Sequence, residues 1–137
     1  MGVGAGFALA AALLHPERQV YIIYGDGSAG YSLMEFDTFA RHGLPVIGLI
    51  GNDACWTQIE REQVPMFGDD VSCVLAYLDY ERVAQGLGAA GLRIEGPEEG
   101  AAAVLAEAQR IAREERRPVV VNALIGRTSF REGSLSV

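Results

Sequence analysis

The run PVIGLIG, residues 45–51, is apolar at every position. A strand with one wet face alternates apolar and polar residues, whereas a strand covered on both faces does not. A run of this kind therefore predicts a parallel strand sandwiched between helices. QVYIIY at 19–24, LRI at 92–94 and PVVVNALI at 118–125 are read as further strands. Helical spacing separates them: a small-residue helix at 3–14, ended by Pro16; a helix in SLMEFDTFARHG, with Leu33, Phe36, Phe39 and Ala40 on one face and Gly43 closing it; a helix in DYERVAQGLGAAG; and a long one at 98–116. Residues 53–78 read as irregular, with a short helix near 58–63. The fold class predicted is α/β, a parallel sheet with helices on both faces in flavodoxin-like layers.

In such sheets, ligands bind beyond the carboxyl ends of the strands. Two of those ends carry a polar residue after a glycine, Gly25-Asp26-Gly27 and Gly51-Asn52-Asp53, and they lie 26 residues apart. Asp26 offers a hard oxygen ligand and Asn52 a neutral one. A hard cation such as Mg2+ held by one carboxylate, one amide and a backbone carbonyl keeps positions open for phosphate oxygens. Glycines beside Asp26 would allow close backbone approach, a helix starting near Tyr31 would aim its free N–H groups at the anion, and Ser28 would add a hydroxyl. The bland reading of either tripeptide is a turn. Neither the P-loop pattern nor the dinucleotide fingerprint is present.

Net charge is −7, which argues against a nucleic-acid partner. Cys55 and Cys73 lie 18 apart with no CxxC, so two buried free thiols are expected. The apolar segment at 2–14 is too short to span a bilayer and has no basic flank, so it reads as a buried helix rather than a membrane or signal segment. A chain that opens directly on a buried element reads as a fragment of a longer one.

The two strand-end motifs resemble the cofactor-binding domain of thiamine diphosphate enzymes, whose motif begins with GDG and ends with a pair usually written NN. MGVGAGFALAAALLHPERQV, EFDTFARHGLPVIGLIGND, GLGAAGLRIEGPEEGAAAVLAEA and RPVVVNALIG carry the resemblance over nearly the whole chain. YSLMEFDTFARH, GNDACWTQIEREQVP and GRTSFREGSLSV are similar to the acetolactate-synthase-like group that includes the 2-hydroxyacyl-CoA lyases of the endoplasmic reticulum.

The resemblance implies thiamine diphosphate and Mg2+ as cofactors. Asp26, Asn52 and the backbone carbonyl of Ala54 would ligate the metal. Gly25, Gly27 and Ser28 would face the diphosphate, Met1 and Gly2 would lie near the aminopyrimidine, and Trp56 would border the cofactor. Gly51 stands where the family usually has its first Asn, which removes a polar side chain beside the site. The resemblance also implies domain bounds of 1–126 for the cofactor domain and 127–137 for a polar tail, with the pyrimidine-binding and central domains absent. The glutamate that activates the cofactor would come from that pyrimidine-binding domain, in the same or a partner subunit, so no catalytic residue is expected in this chain. A full-length homo-oligomer is implied, acting on an acyl-CoA or 2-keto acid, and located in the endoplasmic reticulum or, alternatively, the cytoplasm. Lyase, carboligase and decarboxylase chemistry stay open, as do a non-catalytic phosphate-binding domain and a structural subunit.

Other residues carry weaker expectations. Trp56, Thr57 and Gln58 line a channel or simply pack. Glu35 buttresses the cofactor loop or faces water, with Asp37 on the same helix. His15 and His42 border turns, Asp79 reads as an N-cap, Asp69 and Asp70 as loop residues, and REERR at 113–117 as a solvated face. Arg127 and Arg131 would meet an acyl-CoA phosphate or a partner domain.

Overall fold

The computed structural model describes residues 1–96 and 100–127. Four strands, β1 (Tyr21–Gly25), β2 (Ile47–Asn52), β3 (Ala90–Ile94) and β4 (Val119–Leu124), form one sheet in the order β1-β2-β4-β3. All three pairings are parallel, so every connection is a crossover. The helices are α1 (Gly4–Leu14), α2 (Asp26–Ala29), α3 (Glu35–Arg41), α4 (Thr57–Phe67), α5 (Tyr80–Gly86) and α6 (Ala101–Glu114).

The two sheet faces are covered differently. On one, Ile22, Tyr24, Ile50 and Val120 meet Ala5, Ala8 and Ala12 of α1, Phe36 and Phe39 of α3, and Tyr80 and Ala84 of α5. On the other, Ile47, Val119 and Val121 meet Ala108, Ile111 and Ala112 of α6. The period-2 geometry of a strand explains the split: alternate residues of β2 and β4 go to opposite helical layers, and both sets are apolar. Two glycines set the spacing. A Cβ on Gly48 would lie 2.6 Å from the Phe36 ring, and one on Gly91 would lie 2.1 Å from the Glu81 carbonyl oxygen. Their absence lets α3 and α5 close onto the sheet. At β1 the second layer is missing: Ile23 is 82% exposed, and among the described residues the outer edge of β1 pairs with no strand.

Two expectations need correction, and a third holds in position without its capping bond. The helix after β1 does not start near Tyr31; a four-residue turn of helix begins at Asp26, turns follow, and α3 begins at Glu35. The short helix expected near 58–63 is α4, eleven residues long with Pro65 in its last turn. It escapes the apolar-periodicity test because none of its residues is buried. Asp79 takes the N-cap position of α5 but makes no capping bond, because its carboxylate is drawn to the Arg93 guanidinium at 2.6 Å. Cys55 and Cys73 are buried free thiols, as expected. The start of the helix expected at 98–116 and most of the polar tail, Arg131 included, lie outside the described residues.

Candidate functional site

Parallel pairing of β1 with β2 sets Gly25 opposite Gly51. Asp26 and Asn52 therefore leave adjacent strands at the same level, at their carboxyl ends. This juxtaposition, expected from the sequence, is the centre of the site.

Asp26 is 2% exposed. Its carboxylate accepts the Gly27 N–H at 2.8 Å and the Cys55 N–H at 3.2 Å. Burial pushes its pKa up, and the nearby Asp53 adds to that; the N–H bonds from Gly27, Cys55 and Ala54 oppose it. None of the ion pairs among the described residues includes Asp26. A buried carboxylate with no cationic partner is costly, and a bound cation would compensate it. Asn52 is fully buried, and its Oδ1 accepts only the Ala54 N–H, at 3.3 Å. Among the described residues no group of three or more His, Cys, Asp or Glu could hold a metal. A cation here would thus rest on one carboxylate and neutral oxygens, a donor set that suits Mg2+ and is foreign to zinc.

Ala54 supplies the third position. Its backbone is left-handed, φ 56°, which turns the chain sharply after β2. Its carbonyl accepts the Leu75 N–H at 2.8 Å and an N–H of the Arg127 guanidinium at 3.4 Å. Those contacts, with Trp56 N–H to the Cys73 carbonyl and the antiparallel bridge of Cys55 to Val74, strap residues 73–75 over the loop. Both lone pairs of the carbonyl are thus engaged, one by the strap and one by Arg127, so a cation there would have to displace the arginine.

At Gly27 the close approach is made by Trp56. A Cβ there would fall 2.5 Å from the indole. Tyr31 meets the same indole edge-on, with ring centroids 6.3 Å apart, and the Tyr31 side chain lies 3.1 Å from where a Cβ on Gly2 would be. Gly2, Tyr31, Trp56 and Gly27 are thus one continuous contact beside Asp26, while Met1 is exposed. The Ser28 hydroxyl donates to the Gly25 carbonyl at 2.9 Å, closing the turn. Glu35 is exposed on α3. Arg127 pairs with Glu60 at 2.9 Å.

Sequence reasoning missed the residues behind the site. Asn122 on β4 is fully buried, and Glu81 on α5 is 8% exposed. Both touch the Asn52 region: Asn52 Nδ2 donates to Asn122 Oδ1 at 3.2 Å, and Asn122 Nδ2 donates to Glu81 Oε2 at 2.6 Å. The available signal was an amide inside the apolar run PVVVNALI. A polar residue in a doubly covered strand must be hydrogen-bonded to something.

The sequence profile of a family described as "Thiamine pyrophosphate enzyme, C-terminal TPP binding domain" matches residues 1–123. The chain is 58% identical over its full length to 2-hydroxyacyl-CoA lyase 2 of Caenorhabditis elegans, and 57% to the protein of that name from Mus musculus. It spans 22% of the length of each. Among solved structures, a thiamine diphosphate-dependent 4-hydroxybenzoylformate decarboxylase of Rhodococcus jostii superposes with a TM-score of 0.78 at 23% identity. That match covers 93% of this chain and 24% of the other, and shows the fold. The chain belongs to the thiamine pyrophosphate enzyme family, as its C-terminal cofactor-binding domain.

Proposed function

We propose that this member of the family is the thiamine diphosphate and Mg2+ module of a lyase that cleaves a 2-hydroxyacyl-CoA to formyl-CoA and a shortened aldehyde. The observation that carries the reading is the pairing of Gly25 with Gly51, which brings Asp26 and Asn52 together at the sheet's carboxyl edge. The 58% identity to a 2-hydroxyacyl-CoA lyase 2 supports the choice of reaction.

Asp26 would hold the cation by its carboxylate and Asn52 by Oδ1, with the Ala54 carbonyl completing the protein's share. The cation would in turn hold the diphosphate beside Gly27 and Ser28. Trp56 and Tyr31 would keep water from that side of the cofactor and form one wall of the pocket. When bound, thiamine diphosphate supplies an electron sink for breaking a C–C bond next to a hydroxyl or carbonyl carbon. The proton chemistry that activates it belongs to a glutamate of a pyrimidine-binding domain, in the same or a partner subunit. In the whole protein the assembly would be a homo-oligomer of the endoplasmic reticulum. Among the described residues no helix is long and apolar enough to cross a membrane.

Calorimetric titration of the 137-residue chain with thiamine diphosphate tests the reading. Binding should require Mg2+ and weaken by more than about 100-fold in Asp26→Ala and Asn52→Ala. Cation-independent binding that survives both substitutions would refute the site. The chain alone should release no aldehyde from a 2-hydroxyacyl-CoA.

A further inference from the structure

The orientation of the Asn52 carboxamide is dictated from behind. Asn52 lies at the end of β2, and Asn122 sits on β4 opposite Ile50, so the two are diagonal neighbours on one sheet face. Both are fully buried, where every polar atom must find a partner. Glu81 is paired with Arg93 at 3.1 Å through Oε1, and its Oε2 faces Asn122. A carboxylate accepts and never donates, and the same holds for the Leu78 carbonyl, which Asn122 Nδ2 reaches at 2.9 Å. Two acceptors on one side of Asn122 require its NH2 to point there. Its Oδ1 must then face Asn52. Facing Asn122 Oδ1 at 3.2 Å and the Leu78 carbonyl at 3.3 Å, Asn52 must present its own NH2 inward. The only atom left for the site is Asn52 Oδ1. This chain of constraints starts from a carboxylate and a carbonyl, atoms with one possible role each, so it does not depend on which end of either amide is called oxygen.

We infer that Asn122, held by Glu81 and Arg93, is the positioning residue that turns the Asn52 oxygen toward the cation and so sets cation affinity. The inference rests on the reading of Asn52 as a cation ligand. A flipped Asn52 would point two N–H donors at the metal position and repel it. Glu81→Gln is the sharpest variant. It keeps size and shape, but with Arg93 holding its oxygen the new NH2 would face Asn122. Of the two acceptors that fix Asn122, only the Leu78 carbonyl would then remain, opposed by the new NH2, so the hold on the Asn52 orientation would be weakened and part of the population would present N–H donors to the cation. Asn122→Leu removes the acceptor outright.

Two measurements separate the relay from the site reading. In nitrogen-15 spectra without any cation, the Asn52 side-chain NH2 protons should be slow to exchange in the parent chain and fast in Asn122→Leu. In Mg2+ titrations at fixed thiamine diphosphate, half-saturation should rise by about tenfold or more in Glu81→Gln and Asn122→Leu. Saturating Mg2+ should restore cofactor binding in Glu81→Gln, which a folding defect would not allow. Unchanged half-saturation in both variants of a cation-dependent chain would overturn the inference. So would fast-exchanging Asn52 protons in the parent chain. A parent that binds cofactor without cation, yet keeps those protons protected, would overturn only the role of Asn52 as ligand; the relay itself would stand.

Discussion

Two arginines gather carboxylates in this molecule, and they do so in opposite ways. Arg110 on α6 binds Glu107 at 2.7 Å, Glu114 at 3.1 Å and Glu115 at 3.0 Å, all partners within five residues. Arg93 on β3 binds Asp79 at 2.6 Å and Glu81 at 3.1 Å, with Glu95 alongside. Both guanidiniums have raised pKa values, chiefly from their hydrogen bonds to carboxylates. The difference lies in what each network ties together. The Arg110 cluster decorates one helix in water, where ion pairs contribute little. The Arg93 cluster joins β3 to α5 and continues through Asn122 to β4 and β2. The same chemistry is ornament in one place and architecture in the other, and the buried Glu81, with Asn122 behind it, makes the difference.

The largest effect should come from breaking the seat of the buried network. In Gly91→Ala the new Cβ would fall 2.1 Å from the Glu81 carbonyl oxygen, a backbone atom that cannot step aside. Helix α5 must lift from β3, at a cost of about 1–3 kcal/mol or more. A thermal melt should show a drop of several degrees, and Mg2+ half-saturation should worsen with it. An unchanged melt would mean that α5 is not clamped as described.

A pH ramp sharpens the contrast at intermediate size. Burial is the first cause that raises the pKa of both Tyr24 and Tyr80 above the ordinary value of 10.0, and the Asp26 charge adds to it for Tyr80. The folded chain therefore holds phenolic protons that the unfolded chain releases. That contribution is complete below about pH 10 and is lost as pH rises through the folded values. Glu107 runs the other way: its bond to Arg110 lowers its pKa. Its contribution is present above the ordinary carboxylate range and is lost as pH falls through the depressed value. Melts should fall steeply on the alkaline side and less so in Tyr80→Phe. An alkaline limb as steep in Tyr80→Phe as in the parent would remove Tyr80 from the account.

The smallest effect belongs to the surface cluster. Arg110→Met should leave the melting temperature within about one degree of the parent, and less still at high salt. A loss as large as that of Gly91→Ala would erase the distinction between the two networks.

The layered fold was legible in the sequence because β2 and β4 are covered on both faces and so read as nearly continuous apolar runs. The two strand ends were legible as a pair, since one crossover helix between them forces parallel neighbours. Helix α4 was obscured because it buries nothing, leaving periodicity without a signal, and Pro65 reads as a breaker. Asp79 was legible as the N-cap position of α5, but its carboxylate is engaged by Arg93, 14 residues away on another element, which no local rule predicts. Asn122 was missed for a related reason. Its meaning depends on Glu81, 41 residues earlier, and no spacing rule connects an amide on a strand to a carboxylate on a helix.

The bare edge of β1 has a consequence for handling. Ile23 is exposed beside a strand edge that pairs with no other strand among the described residues. To an identical molecule such an edge is a template. In concentrated solution each copy offers its neighbour a place to add another strand, so turbidity should be governed by this edge more than by the acidic surface that keeps the rest dispersed.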